Sequence, residues 1–324
     1  MLNFKWWLSG KKRRAHAQVE EEIVAKWEQD LDYVHLTAAH RDLYFEIHRC
    51  HKKALGSYPS IVAPKSYNEC IAWLMLFDQR PELPACMDKY AVRRIVEEQI
   101  GAEHLTELYG CYDSFDAIPF DQLPRSFVIK ATHDSGSVFL IRDKEKLQRR
   151  KIKKSINKSL ARIYGARKGE WAYKHIVPRI IIEEYLGDTS EPPPPDYKFH
   201  CADGRVRWLQ YIFDRGTNTK EATYSREFES LDLHLDRDFA FTPSPVERPA
   251  NWTRLVEVAE RLARGFKYVR VDLYDINGRV VFGELTFFPR AGCYITDDNV
   301  KFGGLLDIDT STALPPVQAD VAHA

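Results

Sequence analysis

Apolar residues recur at helical spacing near the start of the chain. Val19, Ile23, Trp27, Leu31 and Val34 lie three or four residues apart, with few helix breakers between positions 16 and 55. Such spacing puts apolar side chains on one face of a helix. We therefore predict one or two helices here, as an N-terminal helical extension.

Two further segments show helical patterns. DKYAVRRIVEEQIG begins with a capping residue, Asp88, and ends at Gly101. Residues 252–265 place a set of apolar side chains on one inward face before Gly265, and these are Trp252, Leu255, Val256, Ala259 and Leu262. Both segments are predicted helices.

Short apolar runs bounded by polar or small residues predict strands. FVIK and VFLI flank the small-residue loop HDSGS, and the isoleucine-rich run RIIIEEYL predicts a buried strand. Two longer segments, DYKFHCADGRVRWLQYIFDR and KYVRVDLYDINGRVVFGELTFF, each predict a hairpin. The chain is therefore predicted to be an α+β protein.

These patterns divide the chain into five parts. We predict the helical extension at 1–58, a mainly helical region at 59–125, a small α+β subdomain at 126–186, a larger one at 187–310 and a disordered tail at 311–324.

The charge balance narrows the choice of partners. The 324 residues include 47 basic and 47 acidic ones, so no global field favours nucleic acid or an anionic membrane. Residues 146–168 are rich in basic residues, but apolar positions at helical spacing favour an amphipathic helix with a solvated basic face over nucleic-acid binding. Trp6 and Trp7, beside a basic run, allow a weak peripheral membrane contact or a frayed terminus.

The six cysteines are widely scattered and show no metal-binding spacing. Reduced thiols in the cytoplasm are the simplest interpretation, and we predict a cytoplasmic protein.

The last hairpin places charges inside otherwise apolar strands. Alternation puts Arg270 and Asp272 on one face, whereas the position of Glu284 depends on the turn. A two-residue turn at Asn277 and Gly278 sends Glu284 to the opposite face. A three-residue loop with Gly278 in the left-handed region pairs Glu284 with Arg270, so the site hypothesis requires that loop.

Two chemical interpretations of this charged hairpin stay open. Two carboxylates with the Thr286 hydroxyl are hard oxygen ligands suited to magnesium, beside the fixed charge of Arg270. The alternative is an internal salt-bridge network. Upstream, Lys130 ends a strand just before the loop and is placed to hold a phosphate.

In their order, the motifs FVIKATHDSGS, RIIIEEYL, DYKFHCADG and RVDLYDINGRVVFGELTFFPRAG resemble the ATP-grasp superfamily. SYNECIAWL, MDKYAVRRIVEEQIG and LPRSFVIKATHDSGS are similar to its TupA-like branch, named for teichuronopeptide biosynthesis. The resemblance covers about residues 55 to 308 and implies an ATP-grasp fold, in which two α+β subdomains clasp ATP.

The resemblance also implies roles for individual residues. It implies that ATP is bound by Lys130, Ser135, Gly136, Ser137, Glu183, Tyr185, Leu186, Asp196 and Lys198. Lys130 would contact the α and β phosphates, and Glu183 would accept from the adenine amino group. The catalytic charges would be Arg270, Lys198 and Arg215, and the Mg²⁺ ligands would be Asp272, Glu284 and Thr286.

The chemistry implied is a carboxylate–amine ligation. A carboxylate attacks the γ-phosphate of ATP to give an acyl phosphate, and an amine then displaces phosphate to form an amide. The expected partners are a carboxylate-bearing small molecule or glycan and an amine, in cell-surface polysaccharide or glycopeptide biosynthesis. The alternatives are a glycosyltransferase-type enzyme and a non-catalytic nucleotide-binding protein of a polysaccharide operon.

Overall fold

The computed structural model describes residues 3–165, 168–216, 218–242 and 246–311, and for residues 3–14 it describes the backbone alone. The α-helices of the described residues are α1 Asn3–Asp30, α2 Arg41–Leu55, α3 Tyr67–Phe77, α4 Leu83–Met87, α5 Val92–Ile100, α6 Arg149–Leu160, α7 Trp252–Leu262 and α8 Asn299–Leu306. The strands are β1 Leu108–Tyr112, β2 Phe127–Ala131, β3 Val138–Ile141, β4 Ile180–Glu183, β5 Asp196–Ala202, β6 Arg205–Phe213, β7 Lys220–Ser225, β8 Ala240–Phe241, β9 Tyr268–Ile276 and β10 Arg279–Thr286.

The predicted N-terminal helices are confirmed as α1 and α2. Trp27 of α1 meets Tyr44 of α2 edge to face, with 5.1 Å between ring centroids, and the Tyr44 hydroxyl donates to Asp30. Leu31 and Val34 do not join the predicted apolar face, since α1 ends at Asp30 and they are 44% and 81% exposed.

Two expectations fall largely outside the described part of the chain. The side chains of Trp6 and Trp7 are not described, and of the tail predicted at 311–324 only Ser311 is. No helix among the described residues is long and apolar enough to cross a membrane.

The smaller sheet of the described residues has the antiparallel order β1-β4-β2-β3. One face is covered by α6, whose Ile152 and Ile156 are buried against Phe127 and Ile129 of β2. Ile163, expected on the same helical face, is 65% exposed because α6 ends at Leu160. Strand β1 comes from the region that we expected to be mainly helical.

The larger sheet has the order β10-β9-β5-β6-β7-β8 within the described residues, and only the β7–β8 pairing is parallel. Helix α7 covers one face, where Trp252 lies against Phe199 at 5.5 Å between ring centroids. The other face is covered at one end by aromatic contacts from α3 and α8, through Tyr67 and Phe302 on Trp208. The remaining end of this face carries polar residues, among them Lys198, Arg270 and Asp272.

The β9–β10 hairpin corrects our reasoning about its turn. The turn has two residues, Asn277 (φ 54°) and Gly278 (φ 89°), and Arg279 lies opposite Ile276. Our inference that the site requires a three-residue loop was therefore wrong. A bulge between Phe282 and Glu284 then shifts the register, which places Glu284 opposite Asp272 and Thr286 opposite Arg270. Glu284 therefore does share a face with Arg270 and Asp272.

Candidate functional site

Strand alternation builds the polar end of the larger sheet. Asp272 lies opposite Lys198 on β5 and opposite Glu284 on β10, so these three side chains project from the same face. Residues between them, such as Val271 and Phe199, point to the apolar core beneath. The apolar core thus anchors the strands that present the charges.

Arg270 is the centre of the charged network. It is 8% exposed and donates through Nε to Asp272 Oδ1 at 2.6 Å, and through Nη2 to Asp272 Oδ2 at 2.7 Å and Glu284 Oε1 at 2.9 Å. Burial opposes its charge, but the neighbouring Asp272 outweighs that effect and holds the pKa of Arg270 well above its usual range. Lys198 donates to the same Asp272 carboxylate.

Asp196 links this network to a second cation. Its carboxylate accepts from Arg215 Nε and, at 3.0 Å, from the Tyr274 hydroxyl. The Lys198 Nζ lies 3.7 Å from the same carboxylate. Three cations, Lys198, Arg215 and Arg270, therefore lie along one continuous network of paired charges.

The smaller sheet contributes its own buried ion pair. Lys130 Nζ lies 2.6 Å from Glu183 Oε2, and Arg93 Nη1 donates to Glu183 Oε1 at 2.9 Å. Burial acts to raise the pKa of Glu183, but Lys130 and Arg93 reverse this and lower it. The Glu183 carboxylate is thus held between two cations, Lys130 and Arg93.

The loop after β2 is held by hydrogen bonds at Asp134 and is exposed to solvent at its tip. Asp134 accepts from the Ser137 and Ser159 hydroxyls, at 2.6 and 2.5 Å, and its carbonyl accepts from Lys89 Nζ. Ser135 and Gly136 are exposed, and Gly136 has φ 95°. Such a tip can turn backbone N–H groups towards an anion.

A cavity of about 480 Å³ lies between the two sheets. Most of the predicted site residues line it, namely Lys130, Ser135, Gly136, Tyr185, Leu186, Asp196, Lys198, Arg215, Arg270, Asp272 and Glu284. Ser137, Glu183 and Thr286 do not line it, but each bonds to a neighbouring residue of the site or its loop. A volume of this size is typical of small-molecule sites.

Sequence reasoning missed several lining residues. Val128, Val138 and Leu140 give the cavity an apolar wall, and Val138 and Leu140 are 42% and 45% exposed. Their positions could have been found, because they alternate along β2 and β3 with residues of the apolar core. Lys89 also lines the cavity, and burial lowers its pKa. It lies in the MDKYAVRR motif, where no local pattern pointed to the cavity.

The fit of a magnesium ion depends on Asp272 and Glu284. Their oxygens both lie within hydrogen-bonding distance of Arg270 Nη2, and the Glu284 side chain is 39% exposed to the cavity. Among the described residues, no group of three or more His, Cys, Asp or Glu side chains is arranged to hold a metal ion. Two carboxylates suit Mg²⁺ when nucleotide phosphates and water complete its shell. The donor set therefore fits a metal–nucleotide complex.

A family model described as TupA-like ATP-grasp matches residues 69–303. The match covers well over half of the chain. This chain belongs to the TupA-like ATP-grasp family. The resemblance read from the motifs is thereby confirmed, and with it the α+β ATP-grasp fold. The TupA-like match includes both sheets and every residue that lines the cavity.

Several solved structures are similar to this ATP-grasp chain. The D-alanine–D-alanine ligase of Bacillus anthracis complexed with ATP is 17% identical, with 69% of this chain and 63% of that chain covered and a TM-score of 0.39. The ATP-grasp ligase PsnB complexed with minimal precursor is 13% identical, with 70% and 61% covered and a TM-score of 0.36. The VanG D-Ala:D-Ser ligase of Enterococcus faecalis is 15% identical, with 69% and 60% covered and a TM-score of 0.38.

The match thus spans less than two thirds of each of these three proteins. A search of curated proteins gave no match.

Proposed function

We propose that this chain is an ATP- and Mg²⁺-dependent carboxylate–amine ligase that acts in the biosynthesis of a cell-surface polysaccharide or glycopeptide polymer. The observation that carries the proposal is the cavity between the two sheets. Cations from both sheets converge on it, beside two carboxylates that suit Mg²⁺.

In this proposal the smaller sheet binds the adenine ring and the α and β phosphates. Val128, Val138 and Leu140 supply an apolar surface for the adenine ring, while Lys130 and the loop tip hold the α and β phosphates. The loop tip is exposed, and in this proposal it closes over the phosphates and excludes water.

The larger sheet stabilises the transferred phosphoryl group in this proposal. Arg270, Lys198 and Arg215 neutralise charge that develops on the γ-phosphate, and Asp272 and Glu284 hold the metal. Bound Mg²⁺ would supply positive charge that offsets the charge of the nucleotide phosphates. Attack by a substrate carboxylate on the γ-phosphorus breaks its bond to the bridging oxygen of the β-phosphate, which releases ADP and gives an acyl phosphate. An amine then attacks the acyl carbon, loses a proton and displaces phosphate to form the amide. Positioning and charge neutralisation suffice, so no protein nucleophile is needed.

Ligand-dependent thermal unfolding tests the nucleotide site. A ligand that binds the native state raises the midpoint by mass action, so Mg–ATP should raise the midpoint of the wild-type chain. Lys130→Ala and Asp272→Asn should each lose this increase, measured against their own unliganded midpoints. Lys154→Ala, at an exposed position on α6, should keep it.

The catalytic step is tested by ADP release. Amino acids and uronates are screened in pairs, and a ligase should release ADP only when both a carboxylate and an amine are present. If Mg–ATP does not raise the unfolding midpoint of the wild-type chain, the proposal that the chain binds ATP is wrong. An increase without any substrate-dependent ADP would instead favour the non-catalytic nucleotide-binding alternative.

A further inference from the structure

Two thiols from distant parts of the chain meet beside the N-terminal helices. Cys50, on α2, and Cys293, just after the turn that follows β10, have their sulfur atoms 3.8 Å apart. All six cysteines lie in the described residues and are free, and this is the only contact between two sulfur atoms found there. Both thiols are only partly buried.

The backbone around Cys293 is held by several contacts besides the thiol, which donates to the Ala291 carbonyl at 3.5 Å. Ala291 takes φ 52°, and a Cβ on Gly292 would lie 2.7 Å from the carbonyl oxygen of Asn68, so the turn lies tightly against α3. The Asn68 side chain donates to the Tyr294 carbonyl at 2.8 Å and accepts from the Tyr294 N–H at 3.0 Å. The closeness of the two sulfur atoms is therefore set largely by packing, and we expect the turn to stay in place when a serine replaces either cysteine.

The surroundings favour reaction at Cys50. The hydrogen-bonding contact with Cys293 lowers the pKa of Cys50, and the nearby Lys168 and Lys53 act in the same direction. The thiolate is the nucleophile in thiol–disulfide exchange. In contrast, burial raises the pKa of Cys70 and Cys201, and both thiols are nearly inaccessible.

We propose that Cys50 and Cys293 form a redox-modification site, which a small disulfide such as oxidised glutathione converts into an intramolecular disulfide. The Cys50 thiolate attacks one sulfur of the oxidant, which forms a mixed disulfide and releases one glutathione thiolate. Cys293 then attacks the Cys50 sulfur, loses its proton to solvent and releases the second glutathione. The protein is oxidised by two electrons, and one oxidised glutathione becomes two reduced ones.

The bond would join two layers of the molecule. It links α2 of the N-terminal extension to the turn that begins at Pro289, three residues after Thr286 of the candidate site. The joined positions are 243 residues apart in sequence, so the cross-link strongly restricts the unfolded chain. Oxidation should therefore raise the unfolding midpoint, and a reductant should reverse the increase.

The test uses the full chain, reduced and then incubated with oxidised glutathione. We expect thiol titration of the denatured protein to fall from six thiols to four. Intact mass should fall by two hydrogen atoms, and a digest should yield a peptide that links Cys50 to Cys293. The unfolding midpoint is measured before and after oxidation.

Three serine variants make the result specific. Cys50→Ser and Cys293→Ser should each lose the mass decrease and the midpoint increase, whereas Cys111→Ser, a partly buried thiol with no sulfur neighbour, should keep both. The reduced midpoints of all three variants verify that they fold. The proposal is overturned if the wild-type chain keeps six thiols, stops at a glutathione adduct, or links a different pair.

Discussion

At Arg270 one guanidinium group serves three oxygen-bearing neighbours, Asp272, Glu284 and Thr286, while Asp272 also accepts from Lys198. A buried charge is stable only while its partners stay in place, and the loss of one partner typically costs about 3–5 kcal/mol. In the structure these residues form an internal salt-bridge network, and the proposed phosphate and metal site uses the same residues. Both interpretations of the sequence are compatible with the observed bonds.

Glu170 is a buried carboxyl group that allows a prediction about pH. It is 5% exposed, its Oε2 atom has no hydrogen-bond partner among the described residues, and burial raises its pKa to about 7. Lys168 acts to lower this pKa, and Cys50 acts to raise it. The folded chain therefore holds a proton that the unfolded chain releases between about pH 4.5 and 7.

Stability from Glu170 is present below pH 4.5 and is lost as the pH rises through 7. Glu170→Gln should remove this dependence, so the variant gains up to about 3 kcal/mol relative to wild type across that window. Urea unfolding at several pH values measures the difference, and a Cys50→Ser background removes the titrating thiol. An unchanged difference from pH 5 to 8 would contradict the prediction, and the exposed Glu28→Gln should show just that behaviour.

The β9–β10 hairpin shows how one residue sets the register of an element. The two-residue turn alone would direct Glu284 away from Asp272, and the bulge at Gly283 reverses that. A Cβ at position 283 would lie 3.0 Å from both the Asp272 carbonyl oxygen and the Tyr274 ring. Glycine lets the two strands approach closely at the point where Glu284 is positioned.

Gly283→Ala should therefore disturb both stability and ligand binding. We expect a loss of about 1–3 kcal/mol in the free energy of unfolding from overpacking. We also expect a smaller midpoint increase with Mg–ATP, because Glu284 moves relative to Asp272. Gly304→Ala is the matched control, because a Cβ there meets nothing within 4 Å on α8. Equal Mg–ATP increases in the two variants would show that the bulge does not position Glu284.

At the scale of the whole molecule, the cavity lies between two sheets that have separate cores. Phe127 and Ile156 belong to the smaller core, while Phe199 and Trp252 belong to the larger core, which also includes the N-terminal helices. The N-terminal layer, which consists of α1 and α2, lies beside α3, and α3 contacts the larger sheet through Tyr67. None of the described side chains of this layer lines the cavity. The contribution of this layer should accordingly be to stability.

Trp27→Ala tests that separation. Trp27 is 7% exposed, and its truncation should cost at least about 3 kcal/mol in the free energy of unfolding, because it leaves a cavity between α1 and α2. The dissociation constant for Mg–ATP, measured by calorimetry below the unfolding transition, should stay unchanged. Val34→Ala, at an 81% exposed position, should change stability by less than about 0.5 kcal/mol. Weaker Mg–ATP binding by folded Trp27→Ala would show that the N-terminal layer also shapes the cavity.

The sequence alone predicted α1, α2, α7, strands β2 to β4 and the two hairpins, and its resemblance to the ATP-grasp superfamily supplied eleven of the residues that line the cavity. Strands β1, β7 and β8 and helix α8 were not predicted. Periodicity is a local property, so it revealed α1, α2 and α7 and the strands around Lys130, and ordered motifs indicated the family. Local patterns were weaker where an element ends, and Leu31, Val34 and Ile163 were therefore assigned to helical faces that the structure does not extend to them.

The tertiary structure decided what depends on contacts between distant segments. The register of Glu284 required the bulge at Gly283, which forms because two backbones approach closely, and no turn rule encodes that approach. Lys89 is brought to the loop after β2, where it donates to the Asp134 carbonyl. Cys50 contacts Cys293 only because α2 and the turn after β10 pack together. Residues far apart in sequence share a site through packing, which a one-dimensional pattern does not record.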